Sequence, residues 1–492
     1  MFRRSTTAGV IAVFSLAGCA VGPNFQSPPP PAAARYTRGQ QPDVTADAPG
    51  PGGAAQTLVA DRDIPSDWYS LFKSEPLDDL VRRALQDSPT VEAAKAALRS
   101  AQYTYLAERG ALLLPQADGQ LGVTREKVPG ATFGIPGAPP SLFTLYNASV
   151  NVSYRLDVFG ASRRQVEEFR AQADLQRWQL EAANLTLTAN VVTTAFSVAS
   201  LRDQLTAVND VVAAVAQQYK VVERRFEVGA ASKTDVLTQQ AQLAQTRAAI
   251  PGIEKALSQA QHRLAVLAGH TPDDATIPDF ELDGFALPTE LPVSVPAKLV
   301  RQRPDVQAAE AQLHQATAAV GLATANLLPQ FNLTGSIGSQ SLTSGGLFGA
   351  GSGAWSAGAS LLQPFFHGGE LRYRRRAAVA ELERADASYR QTVLAALQEV
   401  ADTLRALEAD ARGLRAQVDA EQAAANAFEI AKKQFQFGAI SSVTVLETQR
   451  LYLQARQSRV QAEAARYSDS AALFQALGGG WWNRKDQEVA RQ

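Results

Sequence analysis

Two stretches decide the fold of this chain: Arg225-Phe226-Glu227-Val228-Gly229-Ala230-Ala231-Ser232 and, 209 residues later, Gln434-Phe435-Gln436-Phe437-Gly438-Ala439-Ile440-Ser441. The same offset carries Gly160 to Gly369, Val236-Leu237 to Val445-Leu446, Gln240 to Gln449, Arg247 to Arg456, Leu264 to Leu473 and Gly269 to Gly478. Upstream, Pro89-Thr90-Val91 answers Pro304-Asp305-Val306 and Leu114-Pro115-Gln116 answers Leu328-Pro329-Gln330, at offsets of 215 and 214. A register held over so long a stretch marks a tandem duplication. The unit built by one half is built again by the other.

Each copy switches between two periodicities. From Thr144 to Leu156 the even positions are Thr, Tyr, Ala, Val, Val, Tyr and Leu, while Asn147, Ser149, Asn151, Ser153 and Arg155 fill odd ones. Strict alternation over about a dozen residues opposes an apolar face to a polar one and is long enough for a strand that crosses a membrane. A partner strand is predicted near 116–124, and the second copy repeats the hairpin near 330–339 and 355–365. By pattern alone, two hairpins on a soluble core would look the same. If these are membrane strands, four cannot close a barrel, because closure needs about eight or more. Several chains must then share one.

The rest reads as helix. Leu205, Val208, Val212, Val215, Tyr219, Val222 and Phe226 follow 3-4 spacing, and Val236, Leu243, Ile250, Leu257 and Leu264 recur every seven residues. That predicts coiled-coil packing of long helices, with Pro251 kinking or breaking the second run. At 1.5 Å per residue a helix over 161–226 is ~99 Å long, 233–268 gives ~54 Å and 297–326 gives ~45 Å. The two shorter ones, end to end, would match the long one, and the last helix, 442–477, would stack likewise on the first, 76–113. The chain thus divides into a first repeat over 76–269, an equatorial linker over 270–296 rich in proline and acidic residues, and a second repeat over 297–480 with a tail over 481–492.

The N-terminus is of another kind. Arg3 and Arg4 precede an apolar stretch from Ala8 to Ala17, too short to span a bilayer as a helix, so residues 1–18 read as a secretory signal. It ends in Leu16-Ala17-Gly18-Cys19, which resembles the lipobox of bacterial lipoproteins, where the cysteine thiol is diacylated and becomes the new N-terminus. Cys19 is the single cysteine, so an intramolecular disulfide is impossible. Ala20 after it favours the outer membrane over the inner. Residues 19–75, with Pro28 to Pro31 and Pro49-Gly50-Pro51, lack apolar periodicity over most of their length and read as a tether. No run of 18 apolar residues exists, so a mature chain that crosses a membrane does so with strands. A net charge of -1 gives no push toward nucleic acid.

Cys19-Ala20-Val21-Gly22-Pro23-Asn24-Phe25 and Trp68-Tyr69-Ser70-Leu71-Phe72 resemble the opening of NodT-type efflux lipoproteins. Arg301-Gln302-Arg303-Pro304-Asp305-Val306-Gln307-Ala308-Ala309-Glu310, the paired Phe-x-x-Gly turns and Ala476-Leu477-Gly478-Gly479-Gly480-Trp481 resemble the TolC/OprM outer-membrane efflux protein family over nearly the whole mature chain. The resemblance implies a mainly α protein with membrane β: a homotrimer whose 12-stranded β-barrel continues into a 12-stave α-helical barrel. Four strands and four staves per chain agree with a trimer and would also permit a dimer. It further implies a passive exit duct for small molecules such as drugs, with a periplasmic adaptor protein and an inner-membrane pump of the resistance-nodulation-division (RND) type. No cofactor or metal is expected.

Gly229 and Gly438 are expected to end helices in the left-handed region, with Ser232 and Ser441 capping the next ones. Val228-Gly229-Ala230 and Phe437-Gly438-Ala439 also resemble the helix-tip turns on which the family receives its adaptor. Glu447 and Arg450 by spacing are an ordinary i,i+3 ion pair. The family comparison places them, with Val443, at the closed periplasmic gate, and Glu stands where relatives carry Asp. The first copy has Thr238, Ala241 and Thr234 there, with Asp235 as the acid of a capping box with Ser232. Opening is therefore expected to be mainly a movement of the second helix pair. Arg163-Arg164 and Arg372 with Arg374 to Arg376 open helices where positive charge opposes the dipole, which calls for inner-leaflet phospholipid headgroups of the outer membrane as counter-charge or for a plainly solvated face. The Gly345–Gly353 stretch precedes a strand and lacks the Lys-Ser/Thr of a phosphate loop, so it reads as an extracellular barrel loop. His262, His270, His314 and His367 lack metal spacing, and no nucleophile set is readable, so no catalysis is expected. A type I secretion duct and a lipid-anchored coiled-coil scaffold are the competing functions. The scaffold leaves the four amphipathic strands unexplained.

Overall fold

A computed structural model describes residues 20–484 other than 32–34, 39–41, 135–136, 138 and 275. The signal over 1–18, the acylation site Cys19 and the end of the tail, 485–492, lie outside the described residues. In chain order the elements are β1 (Thr57–Ala60), α1 (Glu75–Asp87), α2 (Pro89–Leu113), β2 (Gln116–Val128), β3 (Ser141–Leu156), α3 (Ala161–Glu227), α4 (Lys233–Arg247), α5 (Ile250–Leu267), β4 (Glu290–Val293), α6 (Pro296–Gln302), α7 (Pro304–Ala325), β5 (Gln330–Ser341), β6 (Gly353–Leu362), α8 (Glu370–Gln436) and α9 (Ser442–Ala476). Proline sets several of these limits. Ser88 and Arg303, each before a proline, take extended backbone and separate α1 from α2 and α6 from α7. The helix expected over 233–268 is two, because Pro251 sits in the first turn of α5, where its missing N–H is no loss.

The chain forms two compact units. One comprises, among the described residues, 20–28, 97–176 and 308–389 and holds an antiparallel sheet in the order β2-β3-β5-β6. Its register puts Val150, Ile337 and Trp355 in one cross-strand row and Tyr154, Leu333 and Ala359 in another on the same face. The opposite face carries Asp118, Asn151, Ser336 and Ser356 in a row. Every residue of β6 is exposed, and Leu121, Val123, Ile337 and Trp355 lie bare. This is no hairpin pair on a soluble core: among the described residues nothing covers Leu121, Val123, Ile337 or Trp355 on the sheet's apolar side.

In the same unit the start of the expected tether is fixed. Val21 donates its N–H to Phe159 O (3.1 Å), Gly22 lies against Gly321, and Phe25 stacks on His314 with centroids 4.3 Å apart. Arg164, 3% exposed, donates to Val21 O (3.2 Å), Asn24 Oδ1 (2.6 Å) and Glu167 (2.8 Å), while Arg163 pairs with Asp157 (3.1 Å). The counter-charges of this arginine pair are therefore Asp157 and Glu167, not lipid headgroups. In the second copy Arg374 pairs with Glu370 (2.7 Å), and Arg372 and Arg375 are exposed.

The other unit comprises, among the described residues, 29–96, 177–307 and 390–484. Here the expected tether is again folded: β1 runs parallel to β4, and Trp68 and Phe72 are fully buried, Trp68 stacking on Phe474 and Phe72 meeting Phe196 edge-on. Gln56 donates to Pro288 O (2.9 Å) and Ser470 Oγ (2.8 Å), and Arg466 to Ala54 O (2.9 Å), so tether and linker are strapped onto α9. The stacking of short helices differs from the expectation. A Cβ on Gly269, just beyond α5, would stand 2.5 Å from Asp87 O, and one on Gly478, just beyond α9, 2.5 Å from Gln302 O. The first copy's short helices thus meet the α1–α2 break and the last helix meets the α6–α7 break, each within its own copy. Arg303 fixes the second junction, bonding both Asp305 oxygens (3.0 and 2.7 Å), Glu399 (2.7 Å) and Ala476 O (2.9 Å). Length could not choose, since α2 and α7 are nearly equal, whereas bare glycine backbone admits the close approach.

Candidate functional site: the helix tips

Two turns reverse the long helices. At the first, Gly229 takes φ 77°, its N–H bonds Phe226 O (3.0 Å), and Ala230 N–H bonds Arg225 O (2.7 Å). At the second, Gly438 has φ 76°, with Gly438 N–H on Phe435 O (3.0 Å) and Ala439 N–H on Gln434 O (2.9 Å). Both are left-handed caps that satisfy the last carbonyls of a helix. A Cβ added to either glycine would meet nothing within 4 Å. The flanking side chains stand free, Val228 78% and Phe437 87% exposed.

The next helices start differently. Ser232 and Asp235 form the full capping box, which, by the Ser232 hydrogen bonds above all, holds the Asp235 carboxyl below its ordinary range. Ser441 stands at the cap position of α9 but makes no side-chain cap bond, a departure from the expectation. Thr444 occupies the place of the box acid, and Ser441 Oγ lies 3.4 Å from its hydroxyl instead. Glu447 and Arg450 form their ion pair at 2.8 Å, both well exposed, and Val443 also projects outward.

Behind the turns, Val222, Val236, Phe428, Ala431, Phe435 and Val445 make one apolar cluster drawn from all four tip helices. Two polar links join the copies across it. Arg225 Nη2 donates to Phe435 O (3.0 Å) and Gln436 O (2.8 Å), its guanidinium 4.5 Å above the Phe435 ring, and Ser442 Oγ donates to Asp235 Oδ1 (3.2 Å). Sequence reasoning missed both, since each joins residues more than 200 positions apart. The only signal was an arginine one residue before the turn aromatic, absent from the second copy, where Gln434 stands. Among the described residues no group of three His, Cys, Asp or Glu could hold a metal, and no helix is long and apolar enough to cross a membrane.

The sheet with one bare apolar face and the paired helix tips find their match in known proteins. The family profile described as outer membrane efflux protein matches residues 80–270 and 295–479. The chain belongs to the outer membrane efflux protein family. The pyoverdine export outer membrane protein OpmQ of Pseudomonas aeruginosa is 30% identical over 441 residues, covering 88% of this chain and 92% of that protein. The toluene efflux pump outer membrane protein TtgC of Pseudomonas putida is 27% identical over 486 residues, 98% and 97% of the two chains. The outer-membrane channel OprN superposes with a TM-score of 0.84 at 27% identity, covering 94% of this chain and all of that one. The fold is that of these outer-membrane channels, and the chain is the outer-membrane channel subunit of an efflux system. These relatives are outer-membrane efflux proteins and channels rather than enzymes.

Proposed function

We propose that the chain works as a homotrimer anchored through acylated Cys19, with three four-stranded sheets closing one 12-stranded barrel that serves as a passive exit duct for small molecules. The observation that carries this is the sheet: β2 and β6 are its two edges, they run antiparallel to each other, and one face is apolar throughout its central rows. Edge can join edge in the same up-and-down order, and lipid supplies the cover that the chain lacks. The polar row of Asp118, Asn151, Ser336 and Ser356 then lines the bore.

The adaptor docks on Val228, Gly229, Ala230, Phe437, Gly438 and Ala439, where bare apolar side chains flank rigid turns. An RND-type pump supplies energy from the inner membrane. Val443, Glu447 and Arg450 narrow the periplasmic end. Relatives' names record pyoverdine export in one and toluene efflux in another, and cargo here is a small molecule selected by pump and adaptor. The test is purification from outer membranes followed by planar-bilayer recording and mass measurement. Stable channels from a three-chain species with a diacylated N-terminus are expected. A monomer without conductance, or a chain with an unmodified Cys19, would contradict the corresponding part.

A further inference from the structure

Within one chain the two copies meet along a defined seam. The long helix α3 of the first copy faces α9 of the second: Arg456 reaches Asp210 at 2.8 Å, Gln461 donates to Gln204 at 3.3 Å, and Val211, Val212 and Val215 pack with Tyr452 and Leu453. The offset of 209 carries Asp210 to Asp419 on α8, and Arg456 back to Arg247 on α4. Both charges are kept, on the second copy's long helix and the first copy's short one. In the single chain both side chains are exposed, and neither has a partner among the described residues.

A wall made of alternating copies has one place for that second seam, where α8 of one chain meets α4 of the next. We propose that Arg247 pairs with Asp419 of the partner subunit, the chain-to-chain replica of the Arg456–Asp210 pair. The occupant of this face is a second copy of the same chain, chosen by charge complementarity at positions the duplication has matched. The inference rests on the multichain duct proposed above.

The seams differ in what surrounds the pair. Val211 and Val215 are answered by Ala420 and Ala424, Arg225 by Gln434, and Asp235 by Thr444. The seam between chains buries less apolar surface and lacks the cationic clasp, so the ion pair carries a larger share of its specificity.

The test uses the full chain in mild detergent. Treatment of a variant with Arg247→Cys and Asp419→Cys with a short bis-maleimide, which spans the gap an arginine side chain leaves, is expected to give covalently linked two- and three-chain species on a denaturing gel, while either single substitution gives none. Arg247→Asp should shift the assembled species toward monomer, and adding Asp419→Arg should restore it. Arg456→Asp, at the inner seam, should leave the chain count unchanged. Absence of inter-chain linkage, or a charge swap no better assembled than Arg247→Asp alone, would overturn the pairing. Native chains that conduct in bilayers while failing these tests sink the pairing and leave the duct standing, whereas native chains without conductance sink the duct.

Discussion

At the scale of the residue, Gly229 and Gly438 have two duties that mutation can separate. Their φ values near +77° cost an L-residue ~1–2 kcal/mol, yet no neighbouring atom would clash with a new side chain. Gly438→Leu should therefore still assemble and conduct in bilayers while cellular export falls to the level of a deletion. Loss of assembly instead would leave only the cap. Glu447 and Arg450 present the reverse case. Their exposed 2.8 Å ion pair adds little to the chain alone, so replacing both by Ala should leave the melting temperature unchanged while single-channel conductance rises. Unaltered conductance would remove them from the gate. The cap glycines were legible in sequence because turn chemistry is local. The contacts of Arg225 and Arg164 were not, because nothing in Arg225-Phe226 or Arg163-Arg164 shows which distant carbonyl the guanidinium will meet.

At the scale of the element, the strands were readable and their cover was not. Alternation sets the two faces of each strand, and the observed pairing aligns Val150, Ile337 and Trp355 on one side and Asn151, Ser336 and Ser356 on the other. Ile337→Arg on the apolar face should cost ~2–4 kcal/mol if that row lies near the bilayer midplane, read as loss of folded protein in the outer membrane. The neighbouring Ser336→Arg, facing the bore, should fold normally. Equal tolerance of both would mean that no lipid meets this face. The helices show the opposite balance. Their limits followed from Pro89, Pro251, Pro304 and the turn glycines, but the end-to-end partners did not, because helices of similar length fit either partner until Gly269 and Gly478 meet Asp87 and Gln302.

At the scale of the whole molecule, a buried acidic cluster sets how stability responds to pH. Burial above all, then the Asp410 carboxyl, pushes Asp469 up to about 8. Burial likewise pushes Glu463 up to about 7, against the pull of Arg459, which bridges it to Glu421. Both carboxyls hold their protons more tightly folded than unfolded. Their stabilisation is complete below about pH 4 and is lost as pH rises through about 7 and 8. The melting temperature should accordingly fall between about pH 4 and pH 8 and level off above, and Asp469→Asn should flatten the upper part of that fall. A melting temperature that rises over this window would refute the assignment.

The sequence by itself determined what is local or periodic: the duplication, the alternating strands, the helix-ending glycines and prolines, and the need for more than one chain to close four strands into a barrel. Only the tertiary structure decided what depends on distant partners. Thr57–Ala60, in a segment without apolar periodicity, becomes a strand because Glu290–Val293 lies beside it. Val21 and Asn24 are fixed because Arg164 waits beneath them. A side chain's partner across more than a hundred residues leaves no trace in the period or composition around it, so the pinned N-terminal segment and the clasp between copies emerge only when the chain is folded.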